Sequence, residues 1–152
     1  MMSRALRFFL LTTLALVLSS CEGDIYRSSI PDAPVHLELN LVSQYPNFAN
    51  SVNQYILFTK PRYATDRIGY GGVIVYSTYE GKYSAFDLAC PVEAKRDVIV
   101  SPDGTGLAKC ETCGEVYDMM YGFGNPTKGI SKEPLKMYKT FLHGNTLLIS
   151  LK

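Results

Sequence analysis

From Val35 onward, apolar and polar residues alternate. Val35, Leu37, Leu39 and Leu41 are apolar, with His36, Glu38 and Asn40 between them. A period of two puts each set on its own face of a strand, so this stretch is expected to be a half-buried strand. Gln44 to Asn53 contains Pro46 and three asparagines and is expected to be a loop. Tyr55 to Phe58 reads as a short strand ending before Pro61. Gly71 and Gly72 open the apolar run Val73 to Tyr76, and Glu80-Gly81 turns it into Lys82 to Phe86, the pattern of a hairpin. Val98 to Val100 is expected to form another short strand, stopped by Pro102-Asp103-Gly104. Near the end, His143-Gly144-Asn145 joins Leu135 to Leu142 with Thr146 to Leu151, and its glycine and asparagine supply the positive φ of a tight turn. No segment carries a helical stripe. Short strands separated by Gly and Pro turns predict an all-β domain, a small antiparallel sandwich or barrel.

The first 20 residues follow a different pattern. Arg4 and Arg7 precede an apolar stretch from Phe8 to Leu18, interrupted by Thr12 and Thr13 and followed by Ser19-Ser20-Cys21. A basic end, a short apolar run and small residues before the cut are the anatomy of a secretory leader. The run is shorter than the roughly 20 residues of a spanning helix. A cysteine directly after the small residues fits a lipoprotein signal, in which the Cys21 thiol receives the lipid. The expected organisation is a signal peptide over 1–20, a lipidated amino terminus and flexible tether over 21–34, and one β domain over 35–152. The mature chain of 152 − 20 = 132 residues is long enough for one proper core. The leader holds two of the 15 basic residues and none of the 14 acidic ones, so the mature charge is 13 − 14 = −1. A near-neutral domain without a basic cluster excludes general nucleic-acid binding. The expected partners are the membrane, through lipid on Cys21, and a protein of the bacterial cell envelope, on the extracytoplasmic side.

Without Cys21, three cysteines remain: Cys90, Cys110 and Cys113. An odd number in a compartment that permits disulfides leaves at least one thiol free, metal-bound or intermolecular. Cys110-Glu111-Thr112-Cys113-Gly114 is a knuckle whose tight turn aims both sulfurs at one spot. A second knuckle would complete a four-ligand zinc site. Its counterpart is Cys90-Pro91-Val92-Glu93, where the last residue is a carboxylate. Cys90, Cys110 and Cys113, with Glu93 as a fourth ligand, are therefore the candidate zinc set; a disulfide plus one thiol is the other arrangement these residues allow.

These residues also bring a family into view. The run Gly72-Val-Ile-Val, the Gly81 turn, Tyr83-Ser-Ala-Phe-Asp87 and Cys90-Pro91 resemble the approach to the first ligand loop of Rieske iron–sulfur domains. Cys113-Gly114-Glu-Val-Tyr117-Asp118 is similar to the second loop. Gly122-Phe-Gly-Asn-Pro126, Gly129 and Pro134-Leu135-Lys-Met-Tyr138 are similar to the closing loop and last strands. The resemblance implies a Rieske-like β domain with a two-loop cysteine subdomain at about 87–130. It also implies a 2Fe–2S cluster on two thiolates and two imidazoles. Cys90 and Cys110 match the thiolates, but Val92 and Cys113 stand where the imidazoles belong. The two remaining histidines, His36 and His143, read as a solvated strand residue and a turn residue. The leader also lacks the adjacent arginine pair that resemblance to exported Rieske proteins leads one to expect, and looks like a signal for unfolded export. The expected reading is a degenerate, non-catalytic module holding zinc or a disulfide; the alternative is an electron carrier with an unusually ligated 2Fe–2S cluster. No Gly-x-Ser-x-Gly elbow, His-Glu-x-x-His or Gly-rich phosphate loop points to an enzyme. Asp87 and Asp118 are expected to shape the loops, and Met119, Met120 and Tyr121 to pack beneath them.

Overall fold

The computed structural model describes residues 28–151. The expected leader and the Cys21 lipidation site lie outside these residues. Seven strands form one antiparallel sheet: β1 (Val35–Asn40), β2 (Gln54–Phe58), β3 (Arg67–Ile68), β4 (Val73–Ser77), β5 (Tyr83–Asp87), β10 (Met137–His143) and β11 (Thr146–Ser150). Their order across the sheet is β2-β4-β5-β10-β11-β1-β3. A four-stranded sheet follows, in chain order: β6 (Val100–Pro102), β7 (Leu107–Cys110), β8 (Val116–Asp118) and β9 (Asn125–Lys128). The one helix among the described residues is the single turn α1 (Pro46–Ala49), inside the expected 44–53 loop. Its proline occupies the first turn, where a missing N–H costs nothing.

Two cores meet at the β4–β5 hairpin. In the first, Leu37 and Leu39 of β1, Phe58 of β2, Val73 and Val75 of β4, Ala85 of β5 and Ile149 of β11 are buried together. Strands from across the sheet share this core, so the sheet curls on itself. In the second core, Ile74 and Tyr76 of β4 and Phe86 of β5 pack with Cys90, Val100, Ala108, Cys110, Tyr117 and Met119. Every residue of β4 is buried because its two faces line different cores, which explains an uninterrupted apolar run rather than an alternating one. The smaller sheet thus sits on the outer face of the hairpin. This is the layout implied by the Rieske resemblance: a basal β-sandwich and a small subdomain carrying two cysteine loops.

The two hairpins read from the sequence form in register, with Val75 opposite Ala85 and Leu142 opposite Leu147. The expected strand at 98–100 lies two residues later, at β6, and Ile99 makes only an isolated bridge to Ala89. The tether expected over 21–34 is docked along its described part. Ile30 is buried, and Lys136 Nζ donates to the carbonyls of Ile30 and Pro31 at 3.0 and 2.8 Å and pairs with Asp32 at 2.6 Å. Glu133 accepts from Ser28 Oγ at 3.0 Å and from Ser29 N at 2.7 Å. Polar composition alone suggested a free linker. The fixed partners of these groups are more than 100 residues away and do not show in local composition.

Candidate metal centre

Both cysteine loops open with the same turn, though the first is closed at its far end three residues later than the second. Cys90 N donates to Val98 O at 2.9 Å, and Cys90 O accepts from Ala94 N at 2.8 Å. Cys110 N donates to Glu115 O at 2.8 Å, and Cys110 O accepts from Gly114 N at 2.9 Å. In each loop the fifth residue closes a turn back onto the cysteine carbonyl and has positive φ: Ala94 at 50° and Gly114 at 75°. Glycine adopts that conformation without strain, whereas alanine pays for its Cβ. The counterpart loops inferred from sequence therefore share this five-residue turn, with Glu93 in the position of Cys113.

Asp87 fixes the base of the first loop. Its buried carboxylate accepts from Tyr70 N at 2.8 Å, Gly71 N at 2.9 Å, Ala89 N at 2.8 Å and the Tyr138 hydroxyl at 2.5 Å. Burial and the neighbouring Asp87 push the Tyr138 hydroxyl well above its ordinary pKa, so it remains a donor. Asp118 accepts from Met120 N at 2.8 Å in the second loop. Both aspartates thus have the loop-shaping part expected of them. Met119 is fully buried, Met120 is partly buried, and Tyr121 is exposed.

The sulfurs of Cys90, Cys110 and Cys113 lie within 4.8 Å of one another, and those of Cys90 and Cys113 are 3.6 Å apart. All three are free thiols. Cys90 and Cys110 are fully buried, while Cys113 is partly exposed. Burial opposes ionisation of Cys110. Donation from the Cys113 and Thr112 N–H groups and from the Cys113 and Cys90 thiols overcomes it and holds Cys110 below the ordinary thiol range. Burial and the two neighbouring sulfurs push Cys113 up to about 12, against the pull of the Glu115 N–H. Like charges crowded together cannot all ionise unaided, and a bound cation supplies the missing positive charge. Three thiols so arranged can hold a thiophilic metal ion.

Glu93 is not among the converging ligand atoms, which are those of the three cysteines of the expected set. Its carboxylate lies 3.6 Å from Lys95 Nζ, and that cation competes for it. Val92 packs against the second core instead of facing a metal. His36 Nε2 lies 3.5 Å from Glu38 on β1, and His143 is exposed at the end of β10. A 2Fe–2S cluster takes four protein ligands. The described residues bring three to this point, without imidazole, so the donor set does not fit a Rieske cluster.

Two residues of the second-loop pattern also belong to the site: Tyr117, whose hydroxyl lies 3.8 Å from Cys90 Sγ, and Glu115, a buried carboxylate that accepts from Ile130 N and Ser131 N at 2.9 and 3.2 Å. Burial and the adjacent Cys90 raise the Tyr117 hydroxyl far above its ordinary pKa. The period-two step from Glu115 to Tyr117 was the available signal, but β8 is only three residues long. A surface groove of about 380 Å³ over β1, lined by His36, Glu38 and Asp66 among others, shares no residue with the thiol cluster.

The chain is thus a two-module all-β protein with a three-thiol cluster where two loops with the same opening turn meet. Solved structures similar to it include two with ferredoxin in their description. One is a chain from the "Complex of reduced oxygenase and oxidized ferredoxin in carbazole 1,9a-dioxygenase", at 10% identity, covering 76% of this chain and 93% of that one, with a TM-score of 0.46. The other is a ferredoxin of Sphingomonas yanoikuyae B1, at 15% identity, covering 67% and 89%, with a TM-score of 0.42. No protein-family model matches the sequence, and no curated protein does.

Proposed function

We propose that this protein is a lipid-anchored component of the bacterial cell envelope whose paired cysteine loops hold one zinc ion, and that it acts as a binding and structural module rather than as an enzyme. The convergence of three thiols from two loops with the same opening turn carries the reading. Zinc accepts thiolate ligands, needs no redox partner and can be acquired by an exported chain after it folds. Cys90 and Cys110 are the enclosed ligands, and Cys113 is the ligand solvent reaches. The lipid on Cys21 rests on the leader anatomy and supplies the membrane attachment.

Elemental analysis of the purified protein, with a free-thiol count and a visible spectrum, tests the metal. One zinc per chain and a colourless solution support the proposal. Two irons with visible absorption would replace it with the electron-transfer reading. Absence of metal with a single free thiol would replace it with a disulfide.

A further inference from the structure

We infer that the tip Lys128–Lys132 is a membrane-contact element: Ile130 enters the interfacial layer of the bilayer and Lys128 and Lys132 meet anionic lipid headgroups. The inference rests on the lipid anchor proposed at Cys21 and is independent of any metal.

Ile130 is 85% exposed, the highest value among the exposed large hydrophobic residues of the described chain. A lone exposed isoleucine is ordinary. This one is presented by a hydrogen-bonded turn. The buried Glu115 carboxylate accepts from the N–H groups of Ile130 and Ser131. Ser131 Oγ donates to Glu133 O at 3.0 Å. Gly129, at φ +123°, passes so close to Glu115 that an added Cβ would fall 2.1 Å from Oε2. Exposed lysines flank the isoleucine on both sides. An apolar residue between two cations is the chemistry of an interfacial contact with an anionic bilayer.

The position of the anchor argues for the same occupant. The docked strap reaches the tip: Ser28 and Ser29 are bonded to Glu133, three residues from Ile130. Only residues 22–27 separate Ser28 from Cys21. Seven residue steps, fully extended, span about 25 Å at most. A lipid on Cys21 therefore keeps this edge of the domain near the bilayer. The lipid supplies the affinity, and the tip sets the orientation. Because Glu115 is two residues from Cys113, the same contact holds the thiol cluster close to the membrane surface.

The chain contains no tryptophan, so one introduced indole reports alone. The full-length protein, processed in cells, is reconstituted in vesicles of phosphatidylethanolamine and phosphatidylglycerol carrying brominated acyl chains. Ile130→Trp is compared with Leu142→Trp, an exposed site at the far end of β10. Intact mass establishes whether Cys21 carries lipid. With the lipid present, the expected result is a blue shift and loss of emission at position 130 and neither at 142, the effect at 130 weakening when Lys128 and Lys132 are changed to glutamate. A lipidated protein with equal, unquenched emission at both sites would overturn the tip contact and leave the anchor standing. An unmodified Cys21 would overturn both.

Discussion

Replacing Glu93 with cysteine turns the equivalence of the two loops into a number. Cys90 and Cys110 each accept from the N–H four residues later, at 2.8 and 2.9 Å, so position 93 in the first loop corresponds to Cys113 in the second. Cys113 Sγ lies 3.6 Å from Cys90 Sγ. Four sulfurs about 2.3 Å from a tetrahedral zinc are about 3.8 Å apart, so the observed pair already has nearly the required separation. If the correspondence of the two turns extends to their side chains, Glu93→Cys brings a fourth sulfur to the cluster. The change also removes the Glu93–Lys95 pair, an exposed-rim contact that contributes about 0–1 kcal/mol. Changes outside the first ligand sphere alter metal affinity by about 10–100-fold, so a gained first-sphere thiolate should tighten zinc binding by at least about 100-fold. At a free zinc concentration that saturates both proteins, this adds about 2.7 kcal/mol of stability. For a domain of this size that is a rise in Tm of about 10 °C. Competition against a chromophoric chelator gives the affinity, and melting at buffered zinc gives the shift. Unchanged affinity together with an additional free thiol would refute the loop equivalence.

Three further expectations follow from the same geometry. Cys110→Ser puts a hydroxyl into the apolar second core, costing about 1–3 kcal/mol even without zinc; the sign of a metal role is that chelation lowers the Tm of the wild type and not that of the variant. Ala94→Gly should stabilise the protein by about 0.5–1 kcal/mol, since about 1–2 kcal/mol of left-handed strain exceeds the glycine entropy cost of about 0.5–1 kcal/mol. Urea unfolding with an unchanged m-value checks this. Asp66 is buried; although burial opposes its ionisation, hydrogen bonds from Arg62 hold its carboxyl below the ordinary value of 3.8. A depressed carboxyl contributes stability that is complete above the unfolded value and is lost as pH falls through the folded one. Asp66→Asn should therefore flatten the loss of stability below about pH 4, as measured by denaturant midpoints across the acid range; an unaltered slope would count against the pairing.

What the sequence made legible was whatever repeats locally. The alternation of β1 and the run of β4 with its Gly81 turn are visible over five or six residues, and the strands form there. The second sheet was hidden by its dimensions. β7, β8 and β9 have four, three and four residues, too few for a period to stand out, and Pro126 within β9 reads as a breaker. β9 is an edge strand, where proline is tolerated because one side of its backbone has no partner. The thiol cluster was legible from spacing because a knuckle is a local turn. The place of Glu93 was not, because the competing Lys95 pair depends on how the loop is oriented. The docking of residues 28–34 on Glu133 and Lys136 joins segments more than 100 residues apart, and composition carries no trace of such a contact.

The second core also changes what the metal has to do. A cross-link alone need not hold the loops at 89–94 and 110–125. Instead Leu88, Val100, Ala108, Tyr117 and Met119 bury them against β4 and β5, and Cys90 and Cys110 are themselves part of that packing. Burial of side chains this size contributes about 1.5–3 kcal/mol apiece before entropy is subtracted, enough to order a short sheet that rests on an existing one. The proposed zinc is then not the nucleus of the subdomain, unlike the metal in domains that remain unfolded without it. It reads out a site that packing has already shaped. A chain exported unfolded can close its apo loops first and take the ion afterwards, and can lose it without unfolding. Chelation should therefore lower Tm while leaving one cooperative transition. A separate, earlier melting step in chelator would show instead that the cation, and not the apolar contacts, holds the loops.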